Sequence, residues 1–338
     1  MLALAPFSTH MKILVLPFGD TSCASTHYRV IQYLDMLKAD GIGYDVAPPG
    51  TLPPSAEIAG YDAVLVQKKL FSTSQVRTLR AHAKRLLFDI DDATWHPHGR
   101  KHSWWTRWRT NRRLRSIVRA ADVALVANHY IAHHLSALGA NAQVLPMALN
   151  PADWPPPAAT ASTGRIRIGW SGAPVNLCYL ETLEPVLTQI MREHPEVELA
   201  VFCGKKPDFS ASTPYIHLPW RQGGESAAVE TFHIGLLPLP VDAFSQGKSP
   251  IKALQYNADI GEERSPDGII GIHNEVAHGL RWECLSFCRH NAQPIEVTLY
   301  SLVCFSIPEV CYACSSPFDT SGVQAPKHHL FHQVTQEI

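Results

Sequence analysis

Short apolar runs alternate with amphipathic segments along the first half of the chain. Between the first two runs, Val30, Leu34 and Leu37 recur at helical spacing. Since strands that alternate with helices form parallel sheets, this pattern predicts a doubly wound α/β domain with its ligand site at the carboxyl edge of the sheet. The runs that indicate buried strands are 12–17, 44–47, 63–67, 85–92, 121–127 and 143–145.

The same rhythm begins again after a segment rich in Pro, Ala, Ser and Thr at 151–164. Further strands are predicted at 165–169, 198–203, 215–218 and 234–239, and a helix at 177–193. The proline-rich segment is typical of a linker. We therefore expect two Rossmann-like, doubly wound domains of parallel sheet that face a cleft, with boundaries at 1–155 and 156–258 and a tail over 259–338.

Composition narrows the class of protein. The 338 residues are 46% hydrophobic and 17% charged, which is enough for buried cores, and the net charge of −1 gives no global attraction to nucleic acid. No apolar run is long enough to span a membrane, and the first residues lack the basic start of a signal peptide. Scattered cysteines fit a reducing compartment, so we predict a cytoplasmic protein.

The segment 234–258 has the features of an anion site. An apolar strand is followed by a loop that contains Gly247, Lys248 and Ser249, and then by a helix with Ile251 and Leu254 on one face. Free N–H groups and the positive end of the helix dipole would point at the loop, and Lys248 adds a full charge. The alternative is an ordinary strand–loop–helix connection with a surface lysine.

The strand predicted at 85–92 ends in three carboxylates, Asp89, Asp91 and Asp92. They suit a hard metal ion, the catalytic aspartates of a haloacid-dehalogenase-type phosphatase, or a cleft loop that orients a sugar hydroxyl or acceptor; a structural turn is the fourth possibility. We favour the cleft loop. Arg29, one turn into the first helix, is a candidate for contact with phosphate or acceptor, or a solvated side chain.

Residues 100–119 combine eight Lys and Arg with three Trp and no acid. Tryptophans among basic residues suit an anionic membrane surface, and they also suit stacking on single-stranded nucleic acid. The structural alternative is a solvated helix with its tryptophans packed on its own domain. We favour peripheral contact with the inner face of a membrane, through Arg100, Lys101, Trp104, Trp105, Arg107 and Trp108.

Several segments, taken in order, resemble retaining glycosyltransferases of family 4, which have the two-domain GT-B fold. The matching segments are DIDDA, VLPMALNPADW, IGWSGAPVNLCYLETL, HIGLLPLP and GKSPIKALQYNA, within 12–258. The resemblance implies transfer of a sugar from a nucleotide-diphosphate donor to a saccharide or lipid-linked acceptor with retention, as in polysaccharide biosynthesis, with no bound metal or other cofactor.

The resemblance also implies roles for particular residues. Lys248, Asp91 and Asp92 would be catalytic, with Lys248 and the helix dipole stabilising the departing diphosphate. Arg29 and Asp89 would face the acceptor from the N-terminal domain. Donor contacts would come from Ser171, Gly172, Trp220, Gly247, Lys248, Ser249, Lys252 and Gln255.

The chain departs from the family at three places. The paired glutamates of the family fall on Gly247 and Gln255, and the basic residues expected near 172–177 are absent. After Ala258 the family pattern stops, which suggests a replaced terminus or a shifted reading frame, and with it a sheet without its edge strands and an inactive nucleotide-sugar-binding relic. Cysteines and histidines of this tail also suggest zinc, but at spacings that match no standard site: Cys284, Cys288, Cys304, Cys311, Cys314, His328, His329 and His332.

Overall fold

The computed structural model describes residues 11–97, 103–154, 165–240, 242–249, 251–258, 270–277 and 280–288. The chain divides into two compact units. Within the described residues, unit 1 comprises 11–148 together with 246–249, and unit 2 comprises 149–245 together with 250–288. The predicted boundaries at 155 and 258, and the predicted cleft, stay predictions.

Unit 1 is a six-stranded parallel sheet with helices between its strands. The strand order is β2-β1-β3-β4-β5-β6. Its elements are β1 (Lys12–Leu16), α1 (Ala24–Arg29), α2 (Leu34–Ala39), β2 (Gly43–Val46), α3 (Ser55–Ile58), β3 (Ala63–Gln67), α4 (Thr73–His82), β4 (Leu86–Ile90), α5 (Trp104–Ala120), β5 (Val123–Val126), α6 (His129–Ala137) and β6 (Ala142–Val144).

Burial explains why these runs become central strands. All five residues of β4 are buried, as are the four of β5, so both faces of the sheet are covered by apolar packing. Phe88 and Ile90 belong to a continuous core with Leu114 and Ile117 of α5. The predicted helix from 27 to 38 is in fact α1, a 3₁₀ turn at Ile31–Tyr33 and α2.

Unit 2 has a second sheet of six strands, in the order β11-β12-β10-β7-β8-β9. Strands β10, β7, β8 and β9 are parallel to one another. This confirms the predicted α/β class for unit 2, as the six parallel strands of the first sheet do for unit 1. Its elements are β7 (Ile166–Ser171), α7 (Leu177–Glu181), α8 (Glu184–Glu193), β8 (Val197–Cys203), β9 (Ile216–Pro219), α9 (Glu225–Val229), β10 (Ile234–Pro240), α10 (Ala243–Gln246), α11 (Ile251–Ala258), β11 (Ile270–Ala277) and β12 (Leu280–Cys288).

The predicted helix 177–193 is broken into α7 and α8. Pro185 lies in the first turn of α8, where its missing N–H group costs no hydrogen bond and its ring disfavours a continuous helix through the preceding turn. The apolar stripe continues across the break, because Leu180, Leu187 and Ile190 are all buried in one core. The spacing therefore located the buried face correctly but not the interruption.

Glycine permits close packing of a helix end onto the second sheet. A Cβ atom on Gly169 of β7 would lie 2.0 Å from Cγ of Phe232, so only glycine fits beneath that ring. Phe232 is itself buried, with Ala228 and Tyr256 in the same core. This packing holds the carboxyl half of β7 against α9 and α11.

The tail adds two strands to the second sheet. Strand β12 pairs with β10 in antiparallel register, Leu237 opposite Leu285, and β11 pairs antiparallel with β12. The parallel part of this sheet therefore has four strands, and an antiparallel hairpin covers the edge of β10. The residues 304, 311, 314, 328, 329 and 332 of the suggested zinc site lie outside the described residues.

Candidate functional site

In unit 1, the predicted polar residues converge at the carboxyl ends of β3 and β4. The register of the sheet sets Gln67, the last residue of β3, beside Asp89 of β4. Asp91 and Asp92 follow β4. Ser25 and Arg29 lie on α1, the helix that begins after the loop that follows β1. Parallel strands deliver these side chains to one edge, as expected for a ligand site of such a sheet.

Arg29 and Asp89 form a buried ion pair. Arg29 Nε donates to both carboxylate oxygens of Asp89, at 3.0 and 3.2 Å, and its Nη2 also contacts this carboxylate. Arg29 Nη1 donates to the carbonyl oxygen of Leu145, 2.5 Å away. Both side chains are at most 3% exposed. Through these contacts the pair connects α1 to β4 and to the end of β6.

A second charged group surrounds Lys68. Its ammonium lies 2.8 Å from Asp91 Oδ1 and also contacts Asp92 Oδ2. Ser25 Oγ donates to Asp91 Oδ2 at 2.6 Å, and Gln67 Nε2 donates to Ser25 Oγ at 2.9 Å. We call Ser25, Gln67, Lys68, Asp91 and Asp92 the Lys68 cluster.

Opposite charges within the Lys68 cluster stabilise the ionised forms of Lys68 and Asp91. Burial opposes ionisation of Asp91, but the charge and hydrogen bond of Lys68, with the hydrogen bond from Ser25, lower the pKa of this carboxyl below its ordinary value. The two aspartates raise the pKa of Lys68 against the effect of burial. Asp91 and Lys68 are therefore both ionised, and Asp92, with its side chain 25% exposed, is the most accessible carboxylate of the cluster.

Sequence patterns did not identify Lys68. Its backbone has a φ of +57°, in the left-handed region that non-glycine residues seldom adopt. This conformation follows directly after β3, where its N–H donates to the carbonyl oxygen of Asp89 at 2.6 Å. The available signal was the position, since a lysine at the carboxyl end of a central strand lies at the ligand edge.

In unit 2, the ends of β7 and α11 meet through a lysine and a serine. Lys252 Nζ donates to Ser171 Oγ at 3.1 Å. Ser171 is 2% exposed, and its N–H donates to the hydroxyl of Tyr256 at 3.0 Å. The hydroxyl of Tyr256 in turn donates to the carbonyl oxygen of Leu236 at 3.2 Å, which ties α11 to β10.

Burial lowers the pKa of Lys252 to about 8, although Glu225 and Cys203 oppose the shift. Glu225 Oε1 accepts a hydrogen bond from Trp220 Nε1 at 3.1 Å, and the Trp220 ring is 40% exposed. Within the described residues, no carboxylate lies within ion-pair distance of the Lys252 ammonium. We call Ser171, Cys203, Trp220, Glu225 and Lys252 the Lys252 cluster.

Two other predicted donor residues have structural surroundings. Gln255 is fully buried in α11. Gly172 follows β7 directly, and a Cβ atom there would lie 2.5 Å from the Trp170 ring. The absence of a side chain at 172 lets the backbone turn past Trp170 at the end of the strand.

The turn 246–249 belongs to unit 1 by its contacts, although the residues on either side of it belong to unit 2. Gly247 is buried, and a Cβ atom on it would lie 2.4 Å from Ala93 Cβ. Lys248 and Ser249 are half-buried, and among the described residues the hydroxyl of Ser249 has no hydrogen-bond partner. Lys248 therefore lies on a turn whose backbone is closely packed.

The tryptophans of the basic segment lie on α5 and are exposed. The exposed fractions of Trp104, Trp105 and Trp108 are 75%, 52% and 46%. They contact one another rather than packing into the core, which corrects the structural alternative considered for them. Arg107 is exposed on the same helix, whereas Arg100 and Lys101 lie outside the described residues.

In the part of the chain that is described, no three His, Cys, Asp or Glu side chains gather closely enough to hold a metal ion. Among the described helices, none has the length and apolar character needed to cross a membrane.

No protein family and no curated protein matches the chain by sequence. By structure it resembles an alpha-glucosyltransferase in complex with UDP-glucose and DNA containing an abasic site, with a TM-score of 0.45, 10% identity and coverage of 74% of this chain and 78% of that chain. It also resembles S. aureus MnaA in its UDP co-structure, with a TM-score of 0.42, 11% identity and coverage of 67% and 73%.

A putative UDP-N-acetylglucosamine 2-epimerase from Listeria monocytogenes is similar to the same degree, with a TM-score of 0.42, 14% identity and coverage of 66% of this chain and 73% of that chain. At identities of 14% or less, these likenesses say nothing about the activity of this chain.

Proposed function

We propose that this protein binds a nucleoside-diphosphate sugar at the carboxyl edge of the second sheet and transfers the sugar. One observation carries the proposal: the Lys252 ammonium has a serine hydroxyl as its hydrogen-bond acceptor and no carboxylate within ion-pair distance in the described region. A partly buried cation that lacks a counter-ion is stabilised by an anionic ligand. A diphosphate supplies that charge in the place where parallel sheets bind nucleotides.

The residues around Lys252 are suited to contact with the nucleobase and the phosphate oxygens of a nucleoside-diphosphate sugar. Trp220 offers a partly exposed aromatic face, and Glu225 holds its indole N–H. An aromatic face of this kind is suited to stacking on a nucleobase. Ser171 ends β7 and Gly172 follows it, and their N–H groups donate to the Tyr256 hydroxyl and to the Phe202 carbonyl oxygen. The group of this pair that is suited to contact with a phosphate oxygen is therefore the Ser171 hydroxyl beside Lys252.

In the proposed reaction, an acceptor hydroxyl forms a bond to the anomeric carbon while the bond to the diphosphate breaks. The diphosphate leaves with the electron pair of that bond, so its negative charge increases, and one of its oxygens takes the proton of the acceptor hydroxyl. Lys252 and Lys248 would stabilise that charge, and this stabilisation is greatest where water is excluded. Asp91, Asp92, Asp89 and Arg29 are proposed to contribute on the acceptor side. Arg29 and Asp89 would position neighbouring groups without contacting the acceptor, because the two side chains form a buried ion pair with each other.

We infer retention at the anomeric carbon and a saccharide or lipid-linked acceptor from the sequence resemblance. The phosphatase interpretation is disfavoured by the contacts of its presumed nucleophile, because Asp89 is held by Arg29. A binding protein without turnover is the second candidate. The antiparallel hairpin of β11 and β12 favours it, because this hairpin replaces the strands that would complete the donor site in the family.

A thermal-shift panel with UDP, GDP, ADP and inorganic pyrophosphate tests the proposal. A ligand that binds only the native state raises the melting temperature, so at least one nucleoside diphosphate should do so more than pyrophosphate. The absence of a shift with all three nucleotides would reject the proposal. Incubation with the sugar derivative of the best nucleotide then separates the candidates: release of the nucleotide supports transfer, and binding without release supports the relic.

A further inference from the structure

The exposed face of α5 is unusual for the surface of a protein with a net charge of −1. Its buried side is ordinary, since Leu114, Ile117 and Val118 pack into the core of unit 1. The opposite side carries Trp104, Trp108, Arg112, Arg115 and Arg119, at spacings of three and four residues that place them on one face. We call these five residues, together with the adjoining exposed Trp105, the tryptophan–arginine face.

The aromatic end of this face is formed by indoles in mutual contact. The rings of Trp105 and Trp108 stack at a centroid distance of 4.9 Å, and Trp104 meets Trp105 edge-on at 5.5 Å. The guanidinium of Arg112 lies 5.3 Å from the centroid of the Trp108 ring. Three adjacent exposed tryptophans form an apolar patch on the surface, and such patches mark interaction sites.

The charged side chains of α5 all have the same sign. The helix contains no acidic residue. It contains six arginines: Arg107, Arg109, Arg112, Arg113, Arg115 and Arg119. Surfaces that remain free in solution usually mix both signs of charge. A second copy of this chain would bring arginines against arginines across a two-fold interface, so self-association through this face is disfavoured by repulsion.

We propose that the tryptophan–arginine face binds peripherally to an anionic lipid surface. Indoles prefer the headgroup level of a bilayer, and each arginine near an anionic membrane adds favourable electrostatic energy. A helix of 17 residues is about 25 Å long, so it can lie along the surface with its tryptophans inserted at one end. The stacking of Trp105 on Trp108 covers one face of each ring, which favours insertion as a cluster over stacking on separate nucleobases.

This inference concerns a partner beyond the proposed sugar transfer and does not depend on donor binding. The test is sedimentation of the full chain with vesicles of phosphatidylcholine alone and with vesicles that contain about one-third phosphatidylglycerol. We expect binding to the anionic vesicles only, with release at high salt because the arginine contribution is screened. The variant with Trp104, Trp105 and Trp108 all replaced by Ala should bind at least about tenfold more weakly.

The matched control replaces Met36 with Ala and Arg77 with Gln, an exposed apolar and an exposed basic position outside α5. It should bind vesicles as the parent protein does, and circular dichroism should show the triple variant to be folded. Equal binding by the triple variant and the parent would overturn the proposal. So would absence of vesicle binding together with salt-sensitive binding to a single-stranded oligonucleotide, or a dimer in light scattering that the triple variant abolishes.

Discussion

Lys252 and Ser171 join two distant parts of the chain across a 3.1 Å hydrogen bond at the carboxyl edge of the second sheet. Ser171 is the last residue of β7, and Lys252 lies in the first turn of α11. The bond gives the lysine an orientation but leaves its charge without a carboxylate in the described surroundings.

Replacement of Lys252 with Met should weaken binding of the preferred nucleoside diphosphate. A hydrogen bond to a charged group contributes about 1.5–3 kcal/mol, so the dissociation constant should increase roughly 10- to 100-fold in isothermal titration calorimetry. Lys252→Arg keeps the charge and serves as the control, with a smaller loss. Unchanged affinity of Lys252→Met would remove this lysine from the diphosphate site.

The affinity for diphosphate should depend on pH in the alkaline range. Because burial lowers the pKa of Lys252 to about 8, the free protein carries this proton below pH 8 and loses it above. The bound anion favours the protonated lysine, so affinity should be level below pH 8 and decrease by up to about tenfold per pH unit above it. Calorimetry in buffers of different ionisation enthalpy should show uptake of a proton at pH 8.5, and Lys252→Met should abolish both effects.

Substitution of Lys248 tests whether the turn that precedes α11 binds phosphate. Lys248→Ala should increase the dissociation constant for the nucleoside diphosphate about tenfold if its ammonium contacts a phosphate, whereas Lys248→Arg should bind nearly as the parent does. Lys206, an exposed lysine of unit 2, is a matched control, and Lys206→Ala should leave the affinity unchanged. Equal affinities for all four proteins would show that Lys248 is a structural or surface residue.

The Lys68 cluster should contribute to the stability of unit 1. Lys68→Ala leaves Asp91 buried without its main counter-ion, so unfolding in urea should require about 3–5 kcal/mol less free energy. Lys68→Gly removes the same charge but suits a φ of +57°, so this variant should be about 1 kcal/mol more stable than Lys68→Ala. The difference between the two variants isolates the backbone effect, and the reverse order would contradict the left-handed conformation.

The Arg29–Asp89 pair allows a double-mutant cycle. Asp89→Leu alone leaves the arginine buried and unpaired, and Arg29→Met alone does so for the aspartate, so each should destabilise the protein by about 3–5 kcal/mol. The double variant should recover a large part of that loss, because neither charge then remains buried. Additive losses in the double variant would show that the two groups act independently.

Much of each sheet could be predicted from short apolar runs. The runs at 63–67 and 234–239 become β3 and β10 with small changes of boundary, because strands buried on both faces need continuous apolar residues. Helix interruptions were harder, since the break between α7 and α8 leaves the apolar stripe intact. The family pattern after Ala258 also gave no indication of the antiparallel β12, whose place depends on hydrogen bonds to β10.

The positions of polar side chains at the strand ends could be predicted, but their partners could not. Sequence patterns singled out Arg29, Asp89 and Asp91 as ligand-side residues, and the structure pairs Arg29 with Asp89, 60 positions away along the chain. It also brings Lys68, which no motif identified, to Asp91.

The sequence by itself determined the parallel strands, the repetition of the α/β pattern and the concentration of charge on α5, because these depend on local spacing and composition. Only the tertiary structure decided which charges neutralise each other and which do not. Asp91 has Lys68 and Ser25, whereas Lys252 has a serine hydroxyl. The physical reason is that the energy of a buried charge depends on the groups within a few ångströms of it, and the fold draws those groups from distant parts of the chain.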